Sequence, residues 1–134
     1  DEADEIIEEY DIRLLDREAP MGLLSGGNLQ KVILAREIRA NPRLLLAMHP
    51  TRGLDVGAIE FIHKKLLKAR DQGAAILLIS SELEEIMSLS DRVSVICNGK
   101  ISRELTAEDI TIENIGLLMG GEETLKGRKC HGQA

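Results

Sequence analysis

Leu24-Ser25-Gly26-Gly27-Asn28-Leu29-Gln30-Lys31 is the stretch on which the fold of this chain turns. Serine is a strong N-cap residue, because its hydroxyl oxygen accepts from the backbone N–H groups that open a helix. Two glycines follow Ser25, and then a helix-forming run over residues 28–39. Along that run Leu29, Val32, Ile33 and Ile38 can share one face, with Lys31, Arg36, Glu37 and Arg39 turned outward. A backbone with no side-chain cover therefore opens a helix. Its free N–H groups and the positive end of the helix dipole suit a phosphate group. An ordinary capped helix after a Gly-Gly turn accounts for Ser25, Gly26 and Gly27 equally well, so these residues alone do not decide.

Downstream, Asn41-Pro42 ends the periodic run. Leu44-Leu45-Leu46-Ala47-Met48 is a short continuous apolar run, as expected of a fully buried strand in a parallel sheet. His49-Pro50-Thr51 stands at its carboxyl end, where open α/β sheets bind ligands. Asp55 is placed to cap a helix over about 56–71, with Ile59, Ile62, Leu66 and Ala69 on its apolar face and Lys64, Lys65, Lys68 and Arg70 in solvent. Gln72-Gly73 closes that helix. Residues 74–80 form a second buried strand, and Ser81 with Glu84 has capping-box spacing for the next helix. A third buried strand over 93–97 holds Cys97, Asn98-Gly99 signals a type I′ hairpin, and 100–105 is its partner. Short helical pieces follow at 106–109 and 111–119. Upstream, 1–9 is an acidic helix with Ile6 and Ile7 as apolar contacts, and Pro20 and Gly22 break the stretch after it. Strands alternating with helices imply an α/β domain around a mostly parallel sheet.

With 134 residues the chain has enough length for one core, and its net charge is −6, from 17 Lys+Arg against 23 Asp+Glu. Nucleic-acid binding would need clustered basic residues and stacking aromatics. The acidic balance, with one Tyr and one Phe, argues against it. No apolar run reaches the roughly 20 residues of a membrane span, and no secretory leader is visible. Cys97 and Cys130 form no C-x-x-C and read as free thiols of a reducing compartment. Cys130-His131 offers only two metal-ligand candidates, a weak signal, so no metal site is expected. The chain contains no G-x-x-x-x-G-K-S/T loop to cradle phosphates. Gly99-Lys100 is not one, since no glycine stands five residues before Gly99.

The segment LSGGNLQKVILAREI resembles the signature segment of ATP-binding-cassette (ABC) ATPases. The likeness continues through Pro50-Thr51-Arg52-Gly53-Leu54-Asp55-Val56-Gly57 and Leu78-Ile79-Ser80-Ser81-Glu82-Leu83, and runs from about Ile6 to about Leu105. The Pro-Thr-Arg-Gly-Leu-Asp wording is most similar to the second nucleotide-binding domain of fused two-cassette ATPases that power simple-sugar and nucleoside importers. The resemblance implies the C-terminal part of a P-loop NTPase domain whose phosphate-loop half is missing. It divides the chain into a helical-subdomain remnant (1–23), a signature-to-hairpin part (24–105), short C-terminal helices (106–120) and a flexible tail (121–134).

In that family the signature closes over the γ-phosphate of ATP held by the opposite cassette. The resemblance therefore implies that Ser25, Gly26, Gly27, Asn28 and Gln30 bind nucleotide in trans, and that Asp55 of the D-loop reaches toward the same opposite site. The family pattern also has Asp-Glu-Pro after the strand and a switch histidine after the next one. Here Met48, His49 and Ser81 stand in those places. Met48 offers a soft thioether to a hard cation. His49 can take a proton near neutrality, but a residue filling space after loss of a carboxylate is the simpler account. Ser81 supplies no imidazole. The implied picture is an ATPase subunit peripheral to the cytoplasmic face of the plasma membrane. ATP and Mg²⁺ would be its cofactors in the full-length protein and neither is expected on this fragment. A second cassette (in the same polypeptide or a dimer) and a membrane permease would be its partners. A sheet edge and an apolar flank are expected to lie uncovered and to drive self-association of the isolated piece. Two other readings remain, a soluble ABC-type ATPase without a permease and a non-catalytic interaction module.

Overall fold

The structure, a computed structural model, describes residues 1–121. Cys130, His131 and the rest of the tail lie outside the described residues. Contacts divide the chain into two units after Ser81, inside the span 24–105.

In the first unit, α1 (Glu2–Glu9) is followed by a 3-10 turn (Met21–Leu23), α2 (Gly26–Arg39), β1 (Leu44–Met48), α3 (Val56–Asp71) and β2 (Ala75–Ile79). β1 and β2 pair in parallel from Leu44 opposite Ala75 to Met48 opposite Ile79, with α3 as the crossover. Asp55 caps α3, its carboxylate accepting from the Ala58 N–H at 3.0 Å. Gly73 follows Gln72 with φ +101, a backbone shape that glycine adopts without strain. α3 buries Ala58, Ile62, Leu66 and Ala69, and Ile59 is only half-buried.

The strands are not buried on both faces as the apolar runs suggested. β1 buries Leu45 and Ala47 but exposes Leu44, Leu46 and Met48 at 62–66%. β2 likewise exposes Leu77 and Ile79. Parallel partners in register share a face, so five large apolar side chains make one open surface. One face of the pair is covered and the other is not. A continuous apolar run reads the same in either case, because it does not state whether both layers are present.

A second core in this unit joins Tyr10, Ile12 and Ala35, with Ile6, Leu14, Val32 and Phe61 packed against it. The Tyr10 and Phe61 rings meet edge to face, their centroids 6.1 Å apart. Lys31 and Lys65, both expected in solvent, are held against these rings. Lys31 is 8% exposed and its Nζ lies 4.6 Å from the Phe61 centroid. Lys65 Nζ lies 3.9 Å over the Tyr10 ring. A lysine lays its methylene stem on an apolar surface while its ammonium finds a ring face and a carboxylate.

In the second unit, α4 (Leu83–Leu89) precedes β3 (Arg92–Val93), β4 (Ile96–Cys97), β5 (Lys100–Ile101), β6 (Leu105–Thr106), a 3-10 turn (Ala107–Asp109) and α5 (Ile112–Met119). The Asn98-Gly99 turn has positive φ at both residues, as type I′ requires. The expected single long hairpin is interrupted. β4 pairs antiparallel with β5, and β3 with β6. Between the ladders the Ser102 hydroxyl accepts from the Val95 N–H at 2.9 Å. Val93, Val95, Leu105, Ile115 and Leu118 form the core. Cys97 is half-buried rather than buried, its Sγ donating to the Met119 carbonyl at 3.3 Å. Thr111 caps α5. The expected capping box at Ser81 does not form. The N-cap of α4 is Glu82, without a side-chain cap bond, so the chain enters the helix one residue later than the Ser81–Glu84 spacing requires.

Candidate functional site

α2 begins at Gly26, so both glycines lie in its first turn rather than before it. Four N–H groups at a helix start lack helical acceptors. The Ser25 carbonyl accepts the first helical bond, from the Leu29 N–H at 2.9 Å, and of the four groups before it the Ser25 hydroxyl takes the Asn28 N–H at 3.4 Å. The amides of Gly26 and Gly27 donate to no protein group among the described residues. With the Ser25 N–H, which likewise donates to no protein group among the described residues, they are the donors left for an incoming anion.

The glycines also set how closely two helices approach. A Cβ built on Gly27 would lie 3.3 Å from the Ala58 Cβ and 3.7 Å from Asp55 Oδ2. One on Gly26 would meet only Leu54 Cδ2, at 3.8 Å. The start of α2 thus rests on the start of α3, and Ser25, Gly26, Gly27 and Asp55 come together. Two positive helix ends share this corner. Asn28, expected from the signature to meet nucleotide in trans, is engaged within the chain. Its Oδ1 accepts from the Arg13 N–H at 3.0 Å and its Nδ2 donates to Ser25 Oγ at 3.0 Å. That role was invisible in the sequence, since the Arg13 partner is distant along the chain. Gln30 is half-buried one residue further on from Leu29.

Met48, His49 and Ser81 are gathered at the carboxyl end of the parallel pair. Met48 is the last residue of β1, opposite Ile79, and is 66% exposed. The His49 N–H donates to the Ile79 carbonyl at 2.8 Å, and His49 adopts φ +47, uncommon for a residue with a Cβ. Ser81 lies two residues past β2. This donor set does not fit Mg²⁺. A thioether, an imidazole and a hydroxyl stand where a hard dication takes carboxylate and water oxygens.

Charge around α2 is organised by buried Lys31 and half-buried Lys65. Lys31 Nζ donates to the Asp11 carbonyl at 2.8 Å and to its carboxylate at 3.1 Å. Those bonds hold the Asp11 carboxyl below the usual carboxylate range. The Lys65 hydrogen bond at 3.0 Å does the same for Glu9, outweighing its partial burial, with added attraction from Lys65, Lys68 and Arg39. Burial raises the Tyr10 phenol, and Glu9 adds to that. A carboxylate depressed in the folded state stabilises the fold above its unfolded pKa and loses that contribution as pH falls through the folded pKa. The urea midpoint of the first unit is therefore expected to hold from pH 7 to about pH 5 and to fall below about pH 4. A midpoint unchanged down to pH 3 would count against these pairs. Lys31→Met should flatten the Asp11 part of the decline.

No family model matches this chain. The guanosine import ATP-binding protein NupO of Bacillus subtilis is 53% identical over 127 residues, which is 95% of this chain and 25% of that protein. The ribose import ATP-binding protein RbsA of Oceanobacillus iheyensis is 44% identical over 110 residues, 82% of this chain and 22% of that protein. Among solved structures, the ADP conformation of MJ1267, an ATP-binding cassette of an ABC transporter, matches 88% of this chain and 44% of its own, with TM-score 0.65 and 28% identity. The dimeric structure of MJ0796, a bacterial ABC transporter cassette, covers 78% of this chain and 45% of its own, with TM-score 0.67 and 26% identity. With this fold and this signature corner, the chain belongs to the ABC ATPases, as a C-terminal portion of a nucleotide-binding domain. Its sequence is similar to those of sugar and nucleoside import ATP-binding proteins, and it spans about a quarter of the length of those relatives.

Proposed function

We propose that this chain is part of the ATPase subunit of an importer for nucleosides or simple sugars, acting in trans. The observation that carries the reading is the corner at Ser25, Gly26, Gly27 and Asp55. Two unpartnered amides and a hydroxyl converge there, while the carboxyl end of the chain's own strands offers Met48, His49 and Ser81. One corner is equipped for phosphoryl oxygens; the other lacks a carboxylate for metal or water. The full-length protein would hold ATP and Mg²⁺ on the opposite cassette. This chain's donors would close over the γ-phosphate, and its own site would turn over poorly. The isolated chain would be inactive. A second cassette and a permease are the partners this requires, with the protein peripheral at the cytoplasmic face of the plasma membrane. No helix among the described residues is long and apolar enough to cross a membrane. A guanosine importer and a nucleoside importer, NupA of Lactococcus lactis, stand among the relatives at 53% and 52% identity, against 44% for the ribose importer. A glucose importer, TsgD13 of Haloferax volcanii, stands between them at 48%, so the cargo class proposed covers both nucleosides and simple sugars.

In the full-length protein, Met48→Asp, His49→Glu and Ser81→His together are expected to raise turnover at this cassette's own site. Single-turnover hydrolysis with the opposite site disabled reads this directly. An unchanged rate would mean that these residues are not what limits it.

The open face of Leu44, Leu46, Met48, Leu77 and Ile79 is expected to make the isolated chain self-associate. Light scattering at rising concentration should show mass growing beyond the monomer. Leu46→Lys with Leu77→Glu should restore the monomer. A wild-type monomer at high concentration sinks the expectation.

A further inference from the structure

We propose that Asn28 is a positioning residue that sets the direction of the Ser25 hydroxyl, an inference that rests on the trans-acting reading of the signature. A serine hydroxyl has one proton to donate and two lone pairs to accept. Both acceptor directions of Ser25 Oγ are taken by Asn28, one by its backbone N–H at 3.4 Å and one by its Nδ2 at 3.0 Å. Only the proton remains to be offered outward. Ser25 therefore meets an incoming group as a donor, which suits a phosphoryl oxygen and refuses a cation. The Asn28 amide cannot turn over freely, because the Arg13 N–H donates to its Oδ1 at 3.0 Å. That contact fixes Oδ1 toward the 11–16 segment and Nδ2 toward Ser25. The loop ahead of the signature thus fixes the hydroxyl through one side chain.

Asn28→Asp separates this role from a structural one. Aspartate has nearly the same shape and keeps the acceptor for Arg13. It also suits the first turn of a helix, so the melting temperature should stay level or rise. However, it places an oxygen against Ser25 Oγ. The serine proton then turns inward to that oxygen and is lost to phosphate.

The test uses the full-length protein, Mg-ATP as the probe, and steady-state turnover with the cassette opposite this signature intact. Ser25→Ala is expected to lower kcat by about 10²-fold, the scale for one such donor. Asn28→Asp should lower it by about 10- to 100-fold, with the melting temperature unchanged or higher. Asn28→Ala, which removes the donor without adding charge, should give a smaller loss. In the double variant Ser25→Ala/Asn28→Asp, the aspartate should add no more than about twofold to the effect of Ser25→Ala. Simple repulsion between the introduced carboxylate and phosphate would persist without the serine. Fully multiplicative effects therefore overturn the proposal, as does wild-type turnover in Asn28→Asp. Wild-type turnover in Ser25→Ala overturns the trans-acting reading itself, which the Asn28 result alone cannot do.

Discussion

Gly27→Val is expected to lower turnover at the opposite nucleotide site by about 10²–10³-fold while leaving the protein folded. The Cβ alone would sit 3.3 Å from the Ala58 Cβ. Valine adds two methyl groups there and in a helix has essentially one side-chain rotamer, so it cannot swing aside. Overpacking of this kind costs about 1–3 kcal/mol. Valine recovers a few tenths of that, being a better helix former than glycine. The net loss is too small to unfold a domain of ordinary stability. It is large enough to push α2 away from α3, and a displacement near 1 Å of positioned donors can cost about 10²-fold in rate. Gly26→Ala is the stability control, because its Cβ meets only Leu54 at an ordinary contact distance. Urea midpoints should therefore rank Gly26→Ala at or above wild type, with Gly27→Val below both. Wild-type turnover in Gly27→Val would mean that the spacing of these two helices does not matter to the site.

What the sequence made legible here was local. Ser25 and Asp55 each cap a helix by accepting from an N–H three residues on, a relation that depends only on spacing. The Asn98-Gly99 turn and the β1–α3–β2 order were legible for the same reason. Lys31 was not, because it shares a helical stripe with Leu34 and Ala35 while carrying a charge. The Phe61 ring, and Asp11 with its carbonyl and carboxylate, both arriving from elsewhere in the chain, receive the Lys31 ammonium. The bond from the Arg13 N–H to Asn28 was not legible either, since Arg13 arrives through tertiary structure. The open face of β1 and β2 escaped notice because an apolar run records a strand's composition and not the number of layers on it. The interruption of the 93–97 strand falls where the register shifts by one residue between the ladders, with the Ser102 hydroxyl accepting from the Val95 N–H there.

Ile62→Ala is expected to remove about 2–5 kcal/mol from the stability of the first unit, the usual range for emptying a large buried aliphatic site. Ile62 has no exposed surface, and it stands among Ala58, Leu66 and Ala69 on the buried face of α3. The cost should fall in the upper part of that range if the site cannot collapse. Collapse would require α3 to move toward its neighbours, and α2 is already close enough at Gly27 that a Cβ there would lie 3.3 Å from the Ala58 Cβ. The effect therefore reaches function by a different route from that of Gly27→Val. Ile62 lies about two helical turns beyond the Asp55 cap. A loosened α3 would release Asp55 from the Ala58 N–H and separate it from the signature. A chain of ordinary stability is held folded by about 5–15 kcal/mol, so this single change can remove much of it. Lys64→Ala, on the exposed side of the same helix, should stay within about 0.5 kcal/mol of wild type. Chemical denaturation of both variants in the full-length protein makes the comparison. Equal midpoints would show that α3 does not carry the core, and the signature corner would then need another support.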